Sequence, residues 1–136
     1  MSDNAKTVQA IYEAFGRGDI PFILEQLADD VRWEDHFDGW SLHDKNIPYL
    51  TPRHGVAEVA GFFQAIGTMT VHDAEAVSII GDGDKIAAEF SFEATLANGN
   101  RFREEEMHLW EFAADGKVAR FRHFADTAKQ VAINAS

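Results

Sequence analysis

The chain contains no cysteine and only three prolines, and its twelve basic residues face twenty-three acidic ones. Without cysteine there are no disulfides, no thiolate metal site and no cysteine nucleophile, so packing alone must hold the fold. With a formal net charge of −11, the chain lacks the basic surface that neutralises phosphates or anionic lipids. This argues against nucleic-acid and membrane partners. No stretch has the length of a membrane span. The opening MSDNAKTVQ has neither the basic start nor the apolar run of a signal peptide, so a cytoplasmic protein is expected. What remains is 136 residues, 46% of them hydrophobic and 12% aromatic. That suits one domain, residues 1–136, burying roughly two thirds of its unfolded surface.

Apolar periodicity gives the elements. Val8, Ile11, Tyr12 and Phe15 fall at helical spacing, and Gly16 and Gly18 end that helix. Asp19 is a good N-cap for a second helix with the stripe Ile20, Ile23, Leu24 and Leu27, and Pro21 is tolerated in its first turn. Val31-Arg32-Trp33 opens a short strand. A long irregular connection over 36–53 precedes a third helix over 54–66, with Val56, Val59, Phe62, Phe63 and Ile66 inward.

The rest reads as a meander over 70–80, 85–96, 101–112 and 117–125. Its turns are GDGD, Asn98-Gly99 and Asp115-Gly116. Ile86, Ala88, Phe90, Phe92, Ala94 and Leu96 share one strand face. Asp126 can cap a short C-terminal helix. The order predicts an α+β fold: a cone-shaped, curved antiparallel sheet wrapped over three N-terminal helices, with a short C-terminal helix. A pocket between sheet and helices follows from that shape.

Two registers are compatible with Asn98-Gly99. A two-residue turn sets Ser91 opposite Glu106, which makes a polar pocket wall. A bulge at Gly99 brings Phe90 and Phe92 there instead. In the run Glu104-Glu105-Glu106, alternation leaves either Glu105 or the other two on a solvated face. Arg120 and Arg122 share one face of the last strand and His123 lies on the other.

The segments GDIPFILEQLADDVRWED (18–35), HGVAEVAGFF (54–63), HLWEFAADGKV (108–118) and FRHFADT (121–127) resemble the nuclear-transport-factor-2-like superfamily. That superfamily includes ketosteroid isomerases, SnoaL-type polyketide cyclases and limonene epoxide hydrolases. The isomerase pattern Ala-Asp-Asp followed by Glu-Asp-Pro-Phe-Gly matches Ala28-Asp29-Asp30 and Glu34-Asp35-His36-Phe37. The resemblance therefore implies Asp35 as general base. His108 takes the place of the family's oxyanion-stabilising aspartate. The family's oxyanion tyrosine matches Ile11, with Tyr12 one residue, or about 100°, further round the helix. The epoxide-hydrolase carboxylates are not matched, since those places read Glu106, His108 and His123.

The expected function is binding of a small apolar or carbonyl-containing molecule. Isomerisation or cyclisation without a cofactor would use Asp35 as base and His108 as oxyanion stabiliser. Tyr12, Trp33, Trp40, Phe62, Glu106, Trp110 and His123 would line the pocket. The alternative is a non-catalytic ligand-binding or dimerisation domain of the same fold. No metal is expected, because His36, His43 and His54 with Asp35, Asp38 and Asp44 match no compact ligand spacing. A homodimer is expected through an apolar outer sheet face carrying either Met107 and Leu109 or Phe90 and Phe92.

Overall fold

A computed structural model of the chain describes residues 1–36 and 46–135. Helices α1 (Asp3–Gly16) and α2 (Ile20–Glu25) lead into β1 (Leu27–Trp33). A 3-10 turn (Pro48–Leu50), β2 (Arg53–His54) and α3 (Val56–Ile66) follow. The meander comprises β3 (Thr70–Ile80), β4 (Lys85–Thr95), β5 (Arg101–Phe112) and β6 (Val118–Phe124), and α4 (Thr127–Asn134) closes the described chain. Among the described residues, no helix is long and apolar enough to cross a membrane.

Local chemistry accounts for these boundaries. The Ser2 side chain accepts the backbone N–H of Ala5, Asp19 that of Phe22 and Asp126 that of Lys129, so α1, α2 and α4 each start on an oxygen cap. Gly99, at φ 90°, takes the left-handed conformation, and the loop at the β4–β5 turn has three residues, with Leu96 N–H donating to Asn100 O at 2.8 Å. The bulged register therefore holds: Phe90 pairs with Glu106 and Ala88 with His108.

The sheet order is β2-β1-β6-β5-β4-β3. The meander strands pair antiparallel, as their short turns require. The antiparallel expectation fails in one place. β1 lies parallel to β6, with Trp33 opposite Phe121, which makes the sheet mixed. A long connection joins these two strands, so no tight turn fixes their relative direction. The second helix is also shorter than its apolar stripe suggests. Leu27 belongs to β1 and pairs with Val118, because Val118 N–H already reaches Gln26 O at 2.9 Å.

The inner sheet face and the helices share one core containing Val8, Ile23, Trp33, Val59, Ile86 and Val118, each at most 1% exposed. Phe90 and Phe92 point into it. Met107, at 40% exposure, points out.

Candidate functional site

Between the helices and the inner sheet face lies a cavity of about 670 Å³, counted to its open mouth. Its wall is mostly aromatic. Trp33 stacks on Phe121 with ring centroids 4.1 Å apart, and Phe62 and Trp110 meet Trp33 at 5.3 and 5.8 Å.

Polar groups gather at one end of the cavity. β5 presents Glu104, Glu106 and His108 on one face at period two, while Glu105 is exposed. The Trp110 indole N–H donates to the Tyr12 hydroxyl at 3.0 Å, and that hydroxyl lies 2.5 Å from His108 Nδ1. His108 Nε2 lies 3.0 Å from Glu106 Oε1. Burial, then the charge on His123, push the His108 pKa well below its ordinary value, so the ring is neutral. Burial also raises the Tyr12 phenol far above its usual range. Its proton therefore stays and is directed at Nδ1, and the imidazole hydrogen sits on Nε2 and is donated to Glu106.

Glu106 and Glu104 hydrogen-bond to each other. Burial is the main cause that raises both, Glu104 to about 7. Two adjacent buried carboxyls share a proton, because ionising both in that setting is unfavourable. Glu104 also accepts from Gln130 Nε2 at 2.6 Å, and Gln130 accepts from the Tyr49 hydroxyl. That ties α4 to the cavity floor.

A second pair flanks this end. His123 Nδ1–H donates to Glu34, whose side chain is 1% exposed, and His36 Nε2 lies 3.4 Å from the other Glu34 oxygen. Burial alone would lower His123, but the Glu34 charge and hydrogen bond outweigh it and raise the imidazole to about 9. Glu34 is held below the carboxylate range, since the His123 and His36 interactions exceed the opposing effect of burial. The pair is a buried imidazolium carboxylate.

Of the residues singled out by sequence, Tyr12, Trp33, Phe62, Glu106, His108, Trp110 and His123 all line the cavity. Trp40 lies outside the described residues. Asp35 is the correction. Sharing a strand face with Trp33 should have turned it inward, yet it is not a lining residue. Its carboxylate pairs with Arg32 at 3.1 Å and Arg120 at 3.6 Å, and is 36% exposed. The reason is Glu34, which takes φ 59°. That left-handed step breaks the alternation immediately after Trp33 and turns Glu34 inward in place of Asp35. His108 has both ring nitrogens engaged by protein, which leaves it no donor for a ligand oxygen. Sequence reasoning missed Glu34, Tyr49 and Gln130. The only hint of the first was its place in the Glu-Asp pair.

The profile of the SnoaL-like domain matches residues 8–121. The chain belongs to the SnoaL-like family. Within the wider NTF2-like fold, it is 30% identical to an NTF2-like protein of unknown function from Burkholderia pseudomallei, with both chains fully covered and a TM-score of 0.82. TerC, co-crystallised with polyporic acid, shares the fold at a TM-score of 0.78 and 24% identity, covering 99% of this chain and 100% of TerC. A candidate polyketide cyclase from Pseudomonas putida shares it at 0.72 and 23% identity, with 98% of each chain covered. No curated protein matches the chain. This SnoaL-like chain thus has the α+β cone that its element order predicts.

Proposed function

We propose that this SnoaL-like chain binds a small, largely apolar carbonyl-containing molecule in the cavity and moves a proton on it, as an isomerase or cyclase does. The observation that carries this reading is the hydrogen-bonded series Trp110–Tyr12–His108–Glu106 at the end of an aromatic cavity. The co-crystallisation of TerC with polyporic acid supports an organic small molecule as the class of occupant. Asp35 does not reach the cavity, so Glu106 is the base. A C–H bond beside the ligand carbonyl breaks, its proton passes to the Glu106 carboxylate, and its electron pair delocalises onto the carbonyl oxygen. Return of the proton at another carbon completes an isomerisation. Attack of the carbanion on a second carbonyl of the same molecule closes a ring, and the proton held on Glu106 passes to the alkoxide oxygen so formed. His108 and Tyr12 hold Glu106 in place, and Glu104 shares its proton. None of these steps calls on a cofactor or a metal.

The test begins with thermal-shift screening of apolar carbonyl compounds, since a binder of the native state raises the melting temperature. A binder incubated in deuterated water should gain deuterium beside its carbonyl. Glu106→Gln should slow that exchange at least ~10²-fold while the thermal shift persists. Exchange no faster than the uncatalysed background in the unmodified protein would leave a binding domain without catalysis.

The outer sheet face carries Val77, Ile80, Met107 and Phe124, which are 40–58% exposed. We propose that a second copy of the chain covers it. A monomer by light scattering at high micromolar concentration would refute that pairing.

A further inference from the structure

One side of the cavity is closed by a helix that holds on through polar contacts. A helix that docks on a core ordinarily buries an apolar stripe. The one buried residue of α4 is Gln130, at 1% exposure, and Ile133 reaches the core only from a partly buried position. Gln130 lines the cavity. Its Nε2–H donates to Glu104 Oε1 at 2.6 Å, and its side-chain oxygen accepts the Tyr49 hydroxyl. The Asp126 backbone N–H is a second donor to Glu104, at 3.3 Å. Elsewhere along α4, Lys129 Nζ donates to Arg103 O at 2.7 Å, Asn134 Nδ2 to the Tyr49 hydroxyl at 2.8 Å, and the side-chain amides of Asn98 and Asn100 to Ile133 O at 2.9 and 2.8 Å. Water can replace each of these polar contacts, so α4 can open at a smaller cost than the strands beneath it.

Beneath Gln130 lies the hydrogen-bonded pair Glu104 and Glu106. His123 faces the pair from β6 with Glu34 behind it on β1, Tyr49 faces it from the 3-10 turn, and Tyr12 from α1. Neutral His108 follows on β5, and β4 sets Phe92 opposite Glu104. α4 itself brings the Asp126 N–H and the Lys129 ammonium, which goes to Arg103 O. With one proton between them, the two carboxyls fit the closed site. Without it, two negative charges stand side by side with water shut out, and moving α4 away hydrates Glu104 and relieves them. We propose that α4 is a door over the end of the cavity that holds Glu106, latched by Gln130, and that the proton shared by Glu104 and Glu106 keeps it shut. Its purpose, keeping water from Glu106, rests on the reading of Glu106 as the base; its measurement needs no ligand. Burial holds Glu104 at about 7 in the closed state, and hydration returns it towards 4.5 in the open one. The closed state therefore binds the proton more tightly, and closure weakens as pH rises from 4.5 to about 7.

Amide hydrogen exchange of the full chain, followed by NMR, reads the door. Protection of the α4 amides, taken relative to the unstructured rate at each pH, should fall at least ~10-fold between pH ~5 and ~8. Glu104→Gln copies the protonated carboxyl, since its amide can donate to Glu106 and accept from Gln130. In that variant α4 protection should stay high and flat across the same range. Gln130→Ala removes the latch and should lower α4 protection at pH ~5 by at least ~10-fold, while the amides of β4 and β5 keep theirs. Should Glu104→Gln fail to fold, Glu106→Gln removes the second charge from the other side and carries the same expectation of a flat profile. The proposal falls if α4 in the unmodified protein is equally protected at both pH values, if the fall persists in the folded Gln variant, or if α4 and β5 lose protection together in Gln130→Ala. A failure of Glu106 to act as base would show in the deuterium exchange of a bound carbonyl compound and would leave these amide rates as they are, so the two readings fail separately.

Discussion

The two faces of the central strands carry the same residue types and put them to different ends. On the outer face Glu93 receives Arg101 Nε at 2.8 Å and Arg103 at 3.1 Å, and the Arg101 and Arg103 hydrogen bonds hold its carboxyl below the usual range. On the inner face, a strand away, Glu104 meets Gln130, a backbone amide and a second carboxyl, and burial pushes it up to about 7. The histidines repeat the lesson within one cavity. His108 and His123 are almost equally buried, yet one is neutral and the other charged, because the carboxyl against His123, Glu34, is held ionised while the one against His108, Glu106, is itself raised by burial. Chemistry here follows from the partner, and the partner from which way the strand turns the side chain.

The sharpest way to break this contrast is to remove the partner. Glu34→Ala leaves a buried imidazolium unpaired, and should lower unfolding free energy by ~3–5 kcal/mol in urea titrations. Replacing His123 by Phe in the same background should restore part of that loss. A change of less than ~1 kcal/mol in the single variant would mean that the pair carries no such charge.

The next effect needs no mutation. His123 titrates higher folded than unfolded, so its stabilisation is complete below about 6.5 and is lost as pH rises through about 9. Glu104 is likewise raised, so stability declines as pH rises from 4.5 towards about 7. Glu34 is lowered, and its contribution is lost as pH falls below 4.5. His108 is lowered too, and its contribution is lost as pH falls below 6.5, so stability should be highest below neutrality and fall by at least ~3 kcal/mol between pH 6.5 and ~9.5. Calorimetry across that range checks it, and a peak above neutrality would contradict the assignment.

Smaller still, Tyr12→Phe orphans the Trp110 N–H and His108 Nδ1 together, for a loss of ~1–2 kcal/mol. On the outer face, Arg101→Gln removes an exposed ion pair and should leave the melting temperature unchanged within error.

Much of this architecture could be read before any coordinates. The stripe of α1, the alternation of β4 and the cap at Asp126 are local patterns, and each appears where the residues place it. Gly99 allowed two registers, and its left-handed backbone selects the one that puts Phe90 and Phe92 inside. The site was legible as a set of types, since seven of the residues named from the sequence line one cavity. Its base was not. Strand alternation and the family pattern point to Asp35, and neither registers that Glu34, a non-glycine residue, adopts a positive φ. The anchoring of α4 by Gln130, the one buried residue of that helix, was equally invisible, because a buried glutamine is recognised only by its partners. The parallel β1–β6 pairing is a long-range contact with no turn to announce it.

That pairing also bears on how the molecule assembles. The hairpins of the meander close over a few residues, but Tyr12 and His108 are 96 apart in sequence and Glu34 and His123 are 89 apart. Closing such separations is entropically slow, so local hairpins have the earlier claim on the folding chain. A nascent sheet of β3 to β6 has a bare edge at β6 and an uncovered aromatic face, the features that invite pairing with a second unfinished chain. Glu104 and Glu106 lie on that face. Hydrated and ionised there, they act as gatekeepers against misassembly before α1 arrives to enclose them.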